Sequence, residues 1–162
     1  MLKAGVIGCG GRGRAHAQGY QLSPEVEIVA CADPVEDSRK AFTEQFEVER
    51  GYTHYREMLE KANLDLVSVG PRWIDCHAEM VIACAEAGVR GIFCEKPFAK
   101  TLAEADAMID ACDRNGAKIA VAHRRASGYE QYAKKLVEAG EIGEIQVMRG
   151  HGKDDHRPER WI

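Results

Sequence analysis

Six residues near the amino terminus, Gly8-Cys9-Gly10-Gly11-Arg12-Gly13, follow the spacing G-x-G-x-x-G. Glycines so placed suit one task. The first permits a tight turn, the second lets backbone N–H groups approach a pyrophosphate, and the third lets a helix pack closely on a strand. The helix that follows then presents free N–H groups and a positive dipole end to the phosphates. The pattern gains force from its surroundings. It follows the apolar run Leu2 to Ile7 and opens a helix-competent stretch from Arg12 to Leu22. Asp33 closes the second apolar run, twenty positions after Gly13, where an acid accepts hydrogen bonds from the adenosine ribose. A 2′-phosphate there would meet a like charge, so the residues predict NAD over NADP. Arg39 could soften that preference, although an arginine in such a place is more often a solvated helix residue. Asp33 also reads as an N-cap for a helix with Pro34 in its first position. No Gly-Lys-Ser/Thr follows the glycines, which excludes a P-loop.

A phosphate loop needs strands and helices to hold it. Short apolar runs recur at Leu2 to Ile7, Val26 to Cys31, Leu66 to Val69, Val89 to Cys94 and Ile119 to Ala122. Continuous runs of this kind mark strands buried on both faces of a parallel sheet. Helical patterns lie between them. Leu102, Ala105, Ile109 and Cys112 recur every three or four positions up to about Asn115, after the capping box Thr101-x-x-Glu104 and before the C-cap candidate Gly116. A second helix is expected near Ile74 to Ala87, stopping at Gly88. A third is expected near Tyr129 to Ala139, with Tyr129, Tyr132, Leu136 and Val137 inward and an end at Gly140. Alternation of strand and helix predicts an α/β fold, a doubly wound parallel sheet of Rossmann type. Glu144 to Met148 reads as a further strand, and the polar stretch from His151 to Ile162 has no clear period.

Composition narrows the function. The 162 residues are 45% apolar and 30% charged, with a formal charge of −4. That balance fits a globular domain and lacks the basic face of nucleic-acid binders or a polybasic membrane patch. No apolar run reaches the ~18 residues of a membrane helix. A strand at the very start leaves no room for a signal peptide, so a cytoplasmic location is expected. The six cysteines sit mostly in apolar runs without Cys-x-x-Cys, and read as reduced core residues. The histidines at 16, 54, 77, 123, 151 and 156 show no ligand spacing, so no metal site is expected.

With the loop, Asp33 and Glu95-Lys96-Pro97 together, the chain resembles the Gfo/Idh/MocA oxidoreductases, the glucose–fructose oxidoreductase and inositol dehydrogenase family. Gly8-x-Gly10-x-x-Gly13-x-x-His16 is similar to that family's opening. Pro71 with His77-Ala-Glu-Met is similar to its loop and helix after the fourth strand, Cys94-Glu95-Lys96-Pro97-Phe98-Ala99 to its E-K-P segment, and Ala139-Gly-Glu-Ile-Gly-Glu-Ile145 to its hinge. The resemblance implies a nicotinamide-dependent dehydrogenase acting on a sugar, inositol or related polyol. Lys96 would contact the substrate hydroxyl, where a cation stabilises developing oxyanion charge. Unaided, Lys96 reads as a surface lysine after a strand. Cofactor contacts are implied for Gly8, Cys9, Gly10, Gly11, Arg12, Gly13, Asp33, Gly70, Pro71, His77 and Glu95. A cis Lys96-Pro97 bond is also implied, against ~5–6% for X-Pro bonds at large. Trp73 reads as a packing residue, and His77, unaided, as structural.

The chain departs from the family at His123-Arg124-Arg125-Ala126-Ser127-Gly128, where Asn-Arg-Arg-Phe and a nearby proline are usual. The expected organisation is an NAD-binding domain over 1–122, a connecting helix and strand over 123–150, and the truncated start of a second α/β domain over 151–162. The resemblance further implies that this chain alone is nearly inactive and that the full-length protein is a homo-oligomer. Two other functions stay open: an NAD-dependent glycosidase of the same family, separated by net NADH accumulation, and a non-catalytic NAD(H)-binding module.

Overall fold

The computed structural model describes residues 1–123 and 128–149. Residues 1–123 form one compact unit, and the described residues 128–149 belong to a second. The first unit runs β1 (Leu2–Ile7), α1 (Gly11–Gln21), β2 (Val26–Ala32), α2 (Glu36–Phe46), β3 (Arg50–Tyr52), α3 (Tyr55–Lys61), β4 (Leu66–Val69), α4 (His77–Glu86), β5 (Gly91–Cys94), α5 (Leu102–Asn115) and β6 (Lys118–Val121). The strands make one sheet in the order β3-β2-β1-β4-β5-β6, and every pair is parallel. The expected doubly wound α/β fold is therefore present.

Both faces of the sheet are covered, as the continuous apolar runs require. Successive side chains of a strand point to opposite faces, and β1 shows it. Val6 joins Cys9, Ala17, Cys31, Phe42 and Phe46 beneath α1 and α2. Ile7 joins Met58, Val67, Val69, Val81, Cys84 and Met108 beneath α3, α4 and α5. Phe42, Met58 and Met108 are wholly buried, each worth about 1.5–3 kcal/mol relative to exposure. All six cysteines are free, and five of them are buried.

Several local expectations need correction. Helix α2 begins at Glu36, with Val35 as its N-cap, so Pro34 precedes the helix and Asp33 does not cap it. Strand β3 escaped the sequence because Arg-Gly-Tyr is an edge strand of three residues without an apolar run. Helix α5 has the expected bounds and caps, but its buried stripe is Met108, Ala111 and Cys112. Leu102 and Ile109 lie outside it, exposed. Helix α6 (Gly128–Glu138) lies in the second unit and buries none of its residues, so the expected inward face of Tyr129, Tyr132, Leu136 and Val137 is not formed. Residues 144–148 are not a strand, because no described strand pairs with them. The departure at Arg124 to Ser127 and the stretch from His151 to Ile162 lie outside the described residues.

Candidate functional site

The strand order reverses beside β1. From β1 the chain first winds outward through β2 and β3, then returns to β4 on the other side. The loops that leave the carboxyl ends of β1 and β4 diverge there, and a crevice at this point is where such sheets take ligands.

The glycine loop is built by close approach of backbones. Gly8 has φ +87°, its N–H donates to Ala32 O at 2.8 Å, and a Cβ on it would lie 3.0 Å from Pro71 N. A Cβ on Gly13 would overlap the Gly8 carbonyl oxygen, and one on Gly70 would lie 3.2 Å from both Gly13 Cα and Gly13 N. Glycine at 8, 13 and 70 is thus what lets α1 start directly over the ends of β1 and β4. Gly10 and Gly11 differ: a Cβ there would meet nothing within 4 Å. Helix α1 has no side-chain cap and no acidic residue in its first turn. By contrast, Thr101 caps α5 by accepting from Glu104 N–H. An uncapped helix start beside open space is a fit for a pyrophosphate, whose charge would take the place of the missing cap.

Asp33 stands at the end of β2 and reaches across to this loop. Its Oδ2 accepts from Cys9 N–H at 2.7 Å and its Oδ1 from Val35 N–H at 2.9 Å. The carboxylate thus braces the loop and retains lone pairs for a ribose hydroxyl, since its two oxygens offer about four acceptor sites. Arg39 is not a free surface arginine: its Nη1 donates to the Asp33 carbonyl at 2.6 Å. The Cys9 side chain is wholly buried, where the Cys31 thiol beside it, and then burial, push its ionisation up. The Cys9 thiol is therefore closed to a ligand, and the residue serves the loop through its backbone, whose N–H is already given to Asp33. Arg14 Nε donates to the Cys9 carbonyl at 3.1 Å and pins the loop from the other side.

The loop after β5 carries Glu95, Lys96 and Pro97, with a cis Lys96-Pro97 bond. Lys96 is exposed, and among the described residues its ammonium has neither an ion pair nor a hydrogen-bond partner. Its backbone is held instead: Lys96 N–H donates to Glu95 Oε2 at 3.0 Å. Glu95 is buried, with Arg12 Nε 3.9 Å from its Oε1. His77 is wholly buried. Its Nδ1 lies 2.9 Å from Pro97 O and its Nε2 2.9 Å from Pro71 O. One imidazole thus ties the loop after β4 to the loop after β5. Gly70 is also buried, leaving Pro71 as the more open residue of that pair. Trp73 is 65% exposed, so the expected packing role is not formed among the described residues: it lies in the connection between β4 and α4, outside both buried clusters.

His16 belongs to this site and was not singled out as a site residue from the sequence. Its Nε2 lies 3.2 Å from Glu95 Oε1, and its ring meets Phe93 edge-on at 4.7 Å between centroids. The signal was its place one turn after Arg12 on the face of α1 that the glycines turn toward the sheet.

Known proteins agree with this architecture. Residues 2–123 match the oxidoreductase family with an NAD-binding Rossmann fold. A myo-inositol 2-dehydrogenase of Thermotoga maritima is 33% identical over 158 residues, which cover 97% of this chain and 47% of that protein. A D-apiose dehydrogenase of Paraburkholderia graminis is 38% identical over 120 residues, 74% of this chain and 32% of that protein. Among solved structures, an oxidoreductase from Agrobacterium radiobacter in complex with NAD+, L-tartaric acid and magnesium superposes with a TM-score of 0.82 at 28% identity, covering 88% of this chain and 42% of that one. The chain spans less than half the length of these relatives. The chain therefore belongs to the Gfo/Idh/MocA oxidoreductases, matching their NAD-binding Rossmann fold over residues 2–123.

Proposed function

We propose that this chain is the cofactor-binding part of an NAD-dependent dehydrogenase that transfers a hydride between nicotinamide and a CH–OH group of a sugar, inositol or related polyol. The observation that carries the proposal is the Lys96 ammonium. It is unpaired among the described residues, yet it rises from a backbone fixed beside the uncapped start of α1. Bound NAD+ would accept the hydride from the alcohol carbon. The chain's own task is to bind, orient and manage charge. The amides of Gly10 and Gly11 hold the pyrophosphate, with Arg12 beside them, and Asp33 takes the adenosine ribose. Pro71 and Lys96 flank the nicotinamide end, where Gly70, His77 and Glu95 shape the walls. Lys96 stabilises the oxyanion charge that develops on the substrate as its hydroxyl proton passes to a base or to water. The inositol and apiose dehydrogenases among the relatives support a polyhydroxylated substrate.

The same proposal assigns 1–122 to cofactor binding, 123–150 to a connection and 151–162 to the start of a substrate domain. It also makes the longer protein a cytoplasmic homo-oligomer. The free, buried cysteines are in keeping with a reducing compartment.

The test is a titration of the purified chain with NADH and NADPH, followed by energy transfer from tryptophan to the nicotinamide. NADH should bind more tightly, and Asp33→Ala should weaken NADH about tenfold, the equivalent of one lost hydrogen bond of ~1.4 kcal/mol, and weaken it by more than NADPH, so that the NADH/NADPH preference falls. A chain that melts cooperatively yet binds neither dinucleotide would sink the proposal.

A further inference from the structure

The side chain of His16 is only 7% exposed, and its Nδ1 is buried with no hydrogen-bond partner among the described residues. Buried polar atoms are rarely left that way without a function that outweighs the loss. The opposite nitrogen shows what the ring does. A carboxylate only accepts, so the proton sits on Nε2, pointing at Glu95 Oε1 3.2 Å away. The other oxygen of Glu95 accepts from the backbone N–H of Lys96 at 3.0 Å. Two helices thus hold one loop. His16 on α1 holds its near end through the Glu95 carboxylate, and His77 at the start of α4 holds its far end through Pro97 O at 2.9 Å. Between those ends the Lys96 side chain has no other tether, so its direction is set by its backbone. Glu95 is bonded to two partners, and Arg12 Nε stands 3.9 Å away as a competitor for the same oxygen. Without His16 the carboxylate is free to swing toward Arg12 and release the Lys96 amide.

We propose that His16 is a positioning residue for Lys96, acting through Glu95 and fixing the backbone from which the ammonium reaches the substrate. This rests on the role given to Lys96 above, but its test does not need the cofactor. Hydrogen exchange of the Lys96 amide is measured by NMR on the full 162-residue chain and on two variants. His16→Leu removes the donor. His16→Gln returns an amide N–H at the ε position and leaves the δ position without one.

The expected result is that His16→Leu lowers protection of the Lys96 amide at least tenfold while the amides of Ile92 and Cys94 in β5 keep theirs, and that His16→Gln restores most of it. Unchanged Lys96 protection in a folded His16→Leu chain would overturn the proposal. So would an equal loss across β5 in both variants, which would mark His16 as a packing residue only. Should His16→Leu not fold, His16→Gln against wild type decides: Lys96 protection within about twofold of wild type supports the donor role, and a tenfold loss refutes it. Failure of wild type to bind NADH would sink the dehydrogenase proposal and leave this result standing.

Discussion

Replacing Gly13 by alanine tests the tightest feature of the site. The added Cβ overlaps the Gly8 carbonyl oxygen and lies 3.0 Å from the carbon of that carbonyl and 3.1 Å from Val6 Cγ1. Nothing there is a flexible side-chain end. The oxygen is backbone, and Gly8 is already held by its bond to Ala32 O. Relief requires the loop to lift away from α1. Overpacking of this kind costs about 1–3 kcal/mol, and a rigid backbone neighbour puts Gly13→Ala at the top, about 3 kcal/mol. For a domain of this size each kcal/mol lowers Tm by about 2–4 °C, so a fall of roughly 6–12 °C is expected by calorimetry. The same movement carries the amides of Gly10 and Gly11 out of line with a phosphate. One lost charge-assisted hydrogen bond of ~1.5–3 kcal/mol weakens NADH tenfold or more. Gly10→Ala is the control. Its φ of −74° suits alanine, and the methyl meets no protein atom within 4 Å. Its stability should stay within about 0.5 kcal/mol of wild type, while NADH affinity falls because the methyl occupies the phosphate's approach. A Gly13→Ala chain melting within about 2 °C of wild type, or a Gly10→Ala chain binding NADH normally, would refute the account of the loop.

Two further perturbations separate stability from binding. Thr101 accepts from Glu104 N–H at 3.1 Å while Glu104 Oε2 accepts from Lys100 N–H at 2.9 Å. Thr101→Ala should cost about 1 kcal/mol in urea unfolding without moving NADH affinity, and an unchanged midpoint would show that the cap contributes nothing. His16 is held below its usual 6.5 by burial, against the opposing pull of Glu95, with Arg12 adding to the decrease. Protons therefore bind the unfolded chain more readily. This contribution to stability is full above pH 6.5 and is lost as pH falls from there toward the lower folded value. The difference in urea midpoint between wild type and His16→Gln should shrink between pH 7.5 and pH 5.5 in wild type's disfavour, and a difference independent of pH would be the contrary result.

Local chemistry was legible where one residue type has one use. The three glycines at 8, 10 and 13, the Thr101 cap and the left-handed Gly116 at φ +68° all lie where spacing places them. Helix faces were less legible. In α5 the residues Leu102, Ala105, Ile109 and Cys112 form one helical stripe and Met108, Ala111 and Cys112 another that is rotated from it, and tertiary packing rather than local spacing decides which is covered. Asp33 was read as either ribose acceptor or helix cap. Its bond to Cys9 N–H spans twenty-four residues and is invisible to any local pattern. The His16–Glu95 pair spans seventy-nine, which is why a histidine on an amphipathic helix carried no mark of its partner.

The central strand of the sheet is the first one synthesised. β1 has β2 on one side and β4 on the other, and its Lys3 N–H finds the Asp65 carboxylate 62 residues later, at 2.8 Å. At about 5–20 residues per second, the ribosome needs roughly 3–12 s to supply that partner. Throughout that interval the nascent chain displays one open edge of this strand, with Val6 and Ala4 destined for complete burial. Winding outward first, through α1 and β2, covers one edge and one face early. The remaining edge waits for β4, which makes the crevice between them the last part of the centre to close during synthesis as well as the place where a ligand enters.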